Sequence, residues 1–287
     1  MVLTRRAILG TALLAASGAR AFAQNEARSF HAFGVLERRF GGRLGVAVLD
    51  TETGLRKSHR ADERFAMCST FKFLAAAFVL ARVDRGEESL SRRVTYSADD
   101  LLSYAPKTRA RIQSGMTVGE LCEAAVTLSD NTAANLLLAS FGGPVGLTRF
   151  MRANGDDVTR LHRTEPTLNE AAPGDPRDTT TPAAMLEALH KFVLGDALSA
   201  ASRAQLTDWL INCRTGDARL RAGAPAGWRI GDKTGTGDHN TANDIAVCWP
   251  PGRAPVIVAA YYTGSQASEA ERDAVLAEVG RVTISVE

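Results

Sequence analysis

Serine and lysine side chains stand three residues apart in Ser69-Thr70-Phe71-Lys72. The apolar pattern of residues 70–85 predicts a buried helix, so Ser69 and Lys72 would share a face at its beginning. Free backbone N–H groups at a helix start can stabilise an oxyanion, and a buried lysine with a lowered pKa can accept the proton of a serine. The spacing therefore indicates a nucleophilic serine, although a serine that only caps the helix is the alternative.

A second polar cluster, Ser129-Asp130-Asn131, separates two apolar runs of helical spacing. These residue types favour turns and helix caps, because their short side chains bond to nearby backbone groups. The same cluster could instead present a hydroxyl and an amide to a ligand. Both interpretations stay open on these residues alone.

An aperiodic stretch over residues 160–182 carries a third candidate, Glu165 with Asn169. A loop of this length inside a compact domain is usually functional. A carboxylate and an amide four residues apart could hold one water molecule, and a glutamate near cationic lysines could act as a general base. The alternative is a solvated loop carboxylate.

Lys233-Thr234-Gly235 is the fourth candidate and lies at the end of a strand predicted over residues 228–233. A lysine and a threonine at a strand end suit a carboxylate ligand, and a glycine allows a ligand to approach the backbone. The alternative is a plain turn. Only five of the 34 basic residues are lysines, so a lysine in two of the candidate patterns stands out.

Composition limits the class of protein. Hydrophobic residues make up 45% of the 287 residues and charged residues 23%, which is typical of a globular protein and excludes a disordered or collagen-like chain. With 34 basic and 32 acidic residues, the chain lacks the strong field that nucleic-acid binding needs. The five histidines lack metalloenzyme spacing and the four cysteines form no C-x-x-C pair, so neither a metal nor a cofactor is expected.

Residues 1–23 have the pattern of a secretory signal peptide. They contain the basic pair Arg5-Arg6, a short apolar stretch and a small-residue cleavage pattern that ends at Ala23. The arginine pair is typical of twin-arginine signals, although many Sec signals also contain it. We therefore expect export to a bacterial periplasm, with cleavage after about Ala23. No apolar run reaches the roughly 18 residues that a spanning helix needs.

Strand and helix patterns divide the chain into parts. The predicted strands cover residues 44–50, 228–233, 244–249 and 256–262, and the predicted helices cover residues 26–40, 70–85, 117–141 (one or two helices), 183–194, 199–213 and about 266–280. Strands thus lie near both ends and helices in the middle. This order predicts an α/β (α+β) fold, in which about 24–60 and 214–287 build one sheet and an all-α part is inserted at about 61–213.

The four candidate patterns, S-x-x-K, S-D-N, E-x-x-L-N and K-T-G, occur in this order at positions 69, 129, 165 and 233. In this combination the sequence resembles a class A serine β-lactamase over essentially the whole mature chain. The resemblance implies an antiparallel sheet flanked by helices, with the active site between the sheet and the inserted helices. It also implies hydrolysis of penicillins and cephalosporins, with resistance to them, by a monomer without a cofactor.

The resemblance implies a role for each candidate residue. Ser69 would be the acylated nucleophile with Lys72 as its proton partner, and Ser129 would pass a proton to the lactam nitrogen. Glu165 would activate the hydrolytic water together with Asn169. Whether Lys72 or Glu165 is the base for acylation is disputed in the family.

A second set of residues would hold the substrate. The backbone N–H groups of Ser69 and Thr236 would form the oxyanion hole. The side chains and backbone expected at the substrate belong to Asn131, Asn169, Lys233, Thr234, Gly235, Thr236 and Tyr104, the last as an aromatic wall of the cleft. Many relatives use an arginine at the position of Ala242 here, so Arg219, which matches an alternative arginine, is expected to assist with the carboxylate, and Asp273 could pair with it.

The same resemblance predicts how the loop is held. An ion pair between Arg163 and Asp178 would pin its neck, and the Glu165–Pro166 peptide would be cis. The disulfides known from two branches of the family lack their partners here, because alanine and glycine occupy the matching positions. We therefore expect no disulfide, which argues against the carbapenem-hydrolysing branch.

The nearest alternative is a D-alanyl-D-alanine carboxypeptidase or penicillin-binding protein, which shares three of the patterns but lacks E-x-x-L-N. The presence of Glu165 and Asn169 therefore favours a β-lactamase. A non-catalytic β-lactam sensor is a second alternative, but such sensors are tethered by membrane helices, which the mature sequence does not predict. The expected partners are small-molecule β-lactam substrates and inhibitors, and neither nucleic acid nor a membrane.

Overall fold

The computed structural model describes residues 32–284. The signal peptide predicted for residues 1–23, and the beginning of the helix predicted over 26–40, lie outside these residues. The described part of that first helix, α1, covers residues 32–40. None of the helices within 32–284 has both the length and the apolar character that crossing a membrane requires.

One antiparallel sheet of five strands forms the framework. Its strands are β1 (Arg43–Asp50), β2 (Arg56–His59), β7 (Arg229–Gly237), β8 (Thr241–Trp249) and β9 (Val256–Thr263), and the short strands β3 (Phe65–Ala66), β4 (Arg93–Val94), β5 (Met116–Thr117) and β6 (Thr179–Thr180) form two small ladders, β3 with β6 and β4 with β5. The order across the large sheet is β2-β1-β9-β8-β7, so β1, from the beginning of the chain, pairs with β9 near its end. This arrangement leaves β7 as an edge strand.

Both faces of the sheet are buried, and alternate residues of each strand supply the two faces. In β1, Val46 and Val48 face a core shared with α1 and the C-terminal helix, whereas Ala47 and Leu49 face a second core shared with the inserted helices. Because β1 and β9 are covered on both sides, their sequences are nearly continuously apolar, which is why these two strands were predicted from the sequence.

Helices cover both faces of the sheet. They are α2 (Phe71–Asp84), α3 (Val118–Thr127), α4 (Asn131–Ser140), α5 (Gly143–Ala153), α6 (Pro182–Leu189), α7 (Ala200–Ile211) and α8 (Glu269–Ile284). The helix α2 is buried on nearly all sides, as its apolar sequence predicts, and it anchors the inserted helices. The α/β (α+β) class, with a sheet from both chain ends and a helical insertion, is confirmed. The bounds of the parts at about 24–60, 61–213 and 214–287 stay a prediction.

The strand β2 and the four short strands were not predicted, and two further differences bear on the site and its surroundings. The strand predicted to end at Lys233 continues to Gly237, so the K-T-G pattern lies inside β7 and not at its end. The helix α5 was not predicted, and it begins at Gly143 with a proline in its first turn, a position where proline is well tolerated.

Gly45 of β1 lies against the Phe65 ring, and a Cβ at Gly45 would come within 2.4 Å of that ring. We expect Gly45→Ala to lower the free energy of unfolding by about 2 kcal/mol, and Tm by roughly 4–8 °C, because the ring must move within a packed core. Thermal unfolding followed by circular dichroism measures this change. In Gly34→Ala, the control in α1, the new Cβ would lie 3.2 Å from the flexible tip of Arg38 and 4.0 Å from His59 Cε1, so Tm should stay equal or rise. Equal Tm values for both variants would contradict the packing argument.

Candidate active site

Ser69 lies in a 3-10 turn, Cys68–Thr70, that leads directly into α2. Cys68 has a positive φ of 45°, a conformation that residues with side chains seldom adopt and that is found at functional sites. The Thr70 hydroxyl lies 3.2 Å from the Tyr261 hydroxyl of β9, which ties the turn to the sheet. Ser69 is thereby fixed at the cleft and keeps 8% of its surface exposed.

Lys72 is fully buried in the first turn of α2. Its Nζ donates to the Ser129 carbonyl oxygen at 2.8 Å and to Asn131 Oδ1 at 2.5 Å, and it lies 2.9 Å from Glu165 Oε1. Removal from water lowers the pKa of Lys72, and the negative charge of Glu165 opposes part of this shift. A lysine in this environment is suited to exchange protons with its neighbours.

Ser129 lies between two lysines at the junction of α3 and α4. Its Oγ is 3.4 Å from Lys72 Nζ and 3.1 Å from Lys233 Nζ, and its backbone has a positive φ of 57°. The next residue, Asp130, caps α4, because its Oδ1 accepts the Ala133 N–H at 2.9 Å. The S-D-N pattern therefore serves both as a helix cap and as a source of polar groups at the cleft, through different residues.

Glu165 reaches Ser69 and Lys72 from the loop 163–178. Its Oε1 accepts the Ser69 hydroxyl at 3.2 Å, and its Oε2 accepts Asn169 Nδ2 at 2.5 Å. The cis peptide predicted before Pro166 is confirmed. A serine hydroxyl, a lysine and a carboxylate thus meet at one point, although 96 residues separate Ser69 from Glu165.

Asn135 of α4 positions Glu165 and was missed by sequence reasoning. Asn135 Oδ1 accepts the Glu165 N–H at 2.9 Å, and Asn135 Nδ2 donates to the Glu165 carbonyl oxygen at 2.9 Å. The signal that could have found it is its spacing of four residues from Asn131, which places both amides on one face of α4.

The neck of the loop is closed by a buried carboxylate. Asp178 Oδ2 accepts Arg163 Nε at 2.5 Å, and Asp178 Oδ1 accepts the N–H groups of His162 and Arg163 at 2.7 and 2.9 Å. Arg163 also bonds to Glu170 further along the loop. At the other side of the loop, the Asp238 N–H donates to the Asn169 carbonyl oxygen at 2.9 Å, which links the loop to the end of β7.

Lys233, Thr234 and Gly235 form the cleft side of β7. Lys233 is fully buried, and its Nζ donates to the Thr234 carbonyl oxygen at 2.8 Å as well as to Ser129. Burial and the nearby charge of Lys72 lower the pKa of Lys233 to about 8. Gly235 must be a glycine, because a Cβ there would lie 2.7 Å from the Met67 carbonyl oxygen.

Arg219 reaches the outer end of β7 from the segment before it. Its Nη2 donates to Thr236 Oγ1 at 2.8 Å, its Nη1 donates to the Gly235 carbonyl oxygen at 2.9 Å, and its Nε donates to Asp273 Oδ1 at 2.8 Å. Ala242, where many relatives of the class named above carry an arginine, pairs with Thr236 across the strands. The guanidinium of Arg219 therefore lies beside the same threonine that an arginine at position 242 would approach.

Two further features complete the cleft. Tyr104 is half exposed, and its carbonyl oxygen accepts the Asn131 N–H at 3.1 Å, which places its loop beside the S-D-N cluster.

Thr215, not found from the sequence, lies with its hydroxyl 2.6 Å from the Thr234 hydroxyl. A lone threonine in a polar stretch carries no sequence signal for such a contact.

All four cysteines are free and buried, and burial raises the pKa of the Cys68 thiol. A Cβ at Gly237 would lie 2.6 Å from Cys68 Sγ, so the glycine allows the strand to approach the nucleophile turn. Across residues 32–284, no group of three or more His, Cys, Asp or Glu side chains is arranged to hold a metal ion.

The arrangement can support nucleophilic chemistry on an anionic substrate. A serine hydroxyl contacts a carboxylate that can accept its proton, and a second serine lies between two lysines that can exchange protons with it. The cationic groups of Lys233 and Arg219 border one side of the cleft, where a carboxylate ligand would be attracted.

Comparisons with known proteins agree with this chemistry. The sequence model described as "Beta-lactamase enzyme family" matches residues 30–286. The chain is 51% identical over 249 residues to Beta-lactamase CTX-M-8 of Citrobacter amalonaticus, with 86% of both chains covered. It is 52% identical over 251 residues to Beta-lactamase L2 of Stenotrophomonas maltophilia, with 87% of this chain and 83% of the relative covered. An ancestral (GNCA) class A β-lactamase of solved structure is 66% identical, with a TM-score of 0.88 over 88% of this chain and 98% of the other.

The chain belongs to the class A β-lactamase family. Its activity is the hydrolysis of β-lactam antibiotics, which confers resistance to them, and the predicted hydrolase is thereby confirmed. The relatives are β-lactamases over most of their length, which disfavours the penicillin-binding protein and sensor alternatives.

In this β-lactamase, the carboxylate of Asp178 is fully buried and accepts hydrogen bonds from His162 and Arg163 at the loop neck. We expect Asp178→Asn to lower the free energy of unfolding by about 3 kcal/mol, because the substitution removes the charge that faces a largely buried guanidinium. Asparagine tolerates the positive φ of 57° at this position, so the backbone is not the cause of the loss. Urea unfolding measures the change. The control Asp217→Asn alters an exposed carboxylate 3.6 Å from Arg221, and it should lower the free energy of unfolding by less than about 0.5 kcal/mol. Similar losses in both variants would contradict the role of the neck.

Proposed function

We propose that this chain hydrolyses penicillins and cephalosporins through an acyl-enzyme on Ser69. The observation that carries the proposal is the hydrogen bond from Ser69 Oγ to Glu165 Oε1 at 3.2 Å, with Lys72 Nζ 2.9 Å from the same oxygen. This geometry provides a proton acceptor for the serine and a cation that stabilises the carboxylate. Each step below uses a side chain or backbone group of the chain itself.

In the acylation step, Ser69 Oγ attacks the lactam carbonyl carbon and its proton passes to a base. Of the two candidate bases, Glu165 is the one that Ser69 contacts directly, and Lys72 adjoins that carboxylate. The carbonyl oxygen becomes an oxyanion, which the backbone N–H groups of Ser69 and Thr236 stabilise. An edge strand such as β7 has one row of backbone groups without a neighbouring strand, which is why Thr236 can supply such a group.

The C–N bond of the lactam then breaks, and the nitrogen needs a proton. Ser129 is suited to deliver it, because its hydroxyl lies within reach of Lys72 and Lys233, and either ammonium can replace the proton that Ser129 gives up. When Lys72 is the donor, it regains a proton from Glu165, which holds the proton that Ser69 gave up during its attack.

The substrate carboxylate would lie beside Lys233, Thr234 and Thr236, with Arg219 adding its charge through Thr236. Gly235 leaves room for the ligand at the strand. Asn131, which is in contact with Lys72, would bind the side-chain amide of the substrate, and the half-exposed ring of Tyr104 would form the opposite wall. The remaining residues of the prediction, Arg163 and Asp178, would hold the loop in place.

In the deacylation step, Glu165 would remove a proton from water as the water oxygen attacks the ester carbonyl. The acyl C–Oγ bond then breaks, and the proton passes from Glu165 to Ser69 Oγ. Asn169 Nδ2 orients the carboxylate of Glu165 at 2.5 Å. Asn169 Oδ1 is buried and has no hydrogen-bond partner within residues 32–284, so it is an acceptor suited to the hydrolytic water. We further propose a monomer in the periplasm, on the basis of the signal pattern in residues 1–23 and the resemblance.

Turnover of a chromogenic cephalosporin by residues 24–287 tests whether deacylation depends on Glu165 more strongly than acylation does. Wild type should show sustained turnover. Glu165→Ala should stop after about one equivalent of product, with the acyl group on Ser69 detected by mass spectrometry, because Lys72 remains as a base for acylation, whereas deacylation loses a general base that contributes roughly 10²–10⁴-fold. The control Glu170→Ala removes an exposed carboxylate of the same loop and should retain sustained turnover. A single burst from wild type, or sustained turnover by Glu165→Ala, would contradict the role of Glu165.

The pKa of Lys233 near 8 predicts an alkaline limit to substrate binding. The cation is present below this pH and is lost as the pH rises through it, so kcat/KM should fall by up to about tenfold per pH unit above 8. Lys233→Arg should move this limit upward by more than one unit, since a guanidinium stays protonated. The control Lys107→Arg, at an exposed site, should leave the profile unchanged. An unchanged limit in Lys233→Arg would assign it to another group, such as Lys72.

A further inference from the structure

A cavity of about 520 Å³ lies between the outer limb of the loop 163–178 and the body of the protein. Loop residues 171–177 form one wall, and the beginning of β1 with Gly264, after β9, forms another. Its volume is in the range of sites for small organic ligands, 300–1,000 Å³. Ser69, Lys72 and Glu165 do not line it, so it is separate from the catalytic groups.

Arg64 is the unusual group in the wall of this cavity. Its Nη1 donates to the Val158 carbonyl oxygen at 2.9 Å and to Thr179 Oγ1 at 3.1 Å. Over residues 32–284, no carboxylate lies within ion-pair distance of Arg64, whereas Arg43, Arg163 and Arg177, the other arginines of the wall, each have one. Arg64 therefore contributes to the cavity wall a positive charge that has no carboxylate of the described residues in ion-pair contact.

Two further arginines, Arg152 and Arg160, lie close enough to act on Arg64 although they do not line the cavity. Burial and the charges of Arg160 and Arg152 lower the pKa of Arg64, and only the carboxylate of Asp156 acts in the opposite direction. Arg160 Nε is buried and has no hydrogen-bond partner in the part of the chain that the structure describes. A bound anion would offset the repulsion within this group.

The two carboxylates of the cavity wall are already neutralised by arginines. Glu63 lies 3.0 Å from Arg43 and 2.9 Å from Arg60. Asp175 lies 2.7 Å from Arg177 and 3.5 Å from Arg163. An anion that enters the cavity therefore meets no unpaired negative charge.

The rest of the wall is mainly small and apolar. Its apolar members are Ala66, Ala171, Ala172, Pro173 and Pro176. We propose that this cavity binds a small organic carboxylate with an apolar body. The carboxylate would pair with the guanidinium of Arg64, whose planar fork matches it, and the apolar body would lie against the alanines and prolines.

Titration calorimetry with 2-naphthoate, and with neutral 2-naphthamide as the matched probe, tests this site. Wild type should bind the naphthoate at least about tenfold more tightly than the amide, because only the carboxylate pairs with Arg64. Arg64→Gln should weaken naphthoate binding by about tenfold or more. Arg56→Gln, which alters an exposed arginine paired with Glu187, should not change it.

A second variant keeps the test decisive if Arg64→Gln folds poorly. Ala172→Leu fills the cavity without removing a charge and should abolish binding of the naphthoate. In ¹H–¹⁵N spectra of wild type, the shifts should concentrate at Gly174 and Gly264, which line the cavity. No binding by wild type, equal affinity for both probes, binding unchanged in both variants, or shifts confined to Lys233 and Thr236, which would place the carboxylate in the catalytic cleft, would each overturn the proposal.

Discussion

The buried contact between Lys72 and Glu165 is the interaction on which the active site depends. Both side chains have 0% exposure, and moving each ion out of water costs several kcal/mol. Such a pair is stable only when further hydrogen bonds satisfy its remaining donors and acceptors. Ser129 and Asn131 accept from Lys72, and Ser69 and Asn169 donate to Glu165, so three of the four sequence patterns contribute partners to this one pair.

The position of the Glu165 carboxylate needs more support than that of Lys72, because Glu165 lies on a loop whereas Lys72 lies on the buried helix α2. A loop can hold a side chain accurately only when its own backbone is fixed. Asn135 fixes the backbone of Glu165 directly, Asp178 closes the neck, and the bond from Asp238 to Asn169 attaches the loop to β7. These contacts come from a helix, from the loop itself and from the sheet, so every layer of the fold takes part in positioning one catalytic group.

The residues that could be found from the sequence are those whose chemistry is unusual for their surroundings. Serine and lysine at the start of an apolar helix stand out, as does a lysine at the end of a predicted strand. Asn135 and Thr215 could not be found in this way, because each acts through a contact with a distant segment and is unremarkable in its own. The extent of β7 was wrong for a related reason. The strand was predicted to end at Lys233, whereas it continues through Gly235, which permits a close approach to Met67 inside the strand.

Lys233 shows how stability is exchanged for function in this molecule. Its ammonium is fully buried, its bonds go to neutral oxygens of Ser129 and Thr234, and no carboxylate of residues 32–284 lies within ion-pair distance. A buried cation without a counter-charge destabilises the free protein, which is why its pKa is lowered. The carboxylate of an anionic substrate pairs with this ammonium when it binds. The unfavourable free energy of the buried charge is then reduced, and this gain favours binding of the substrate carboxylate.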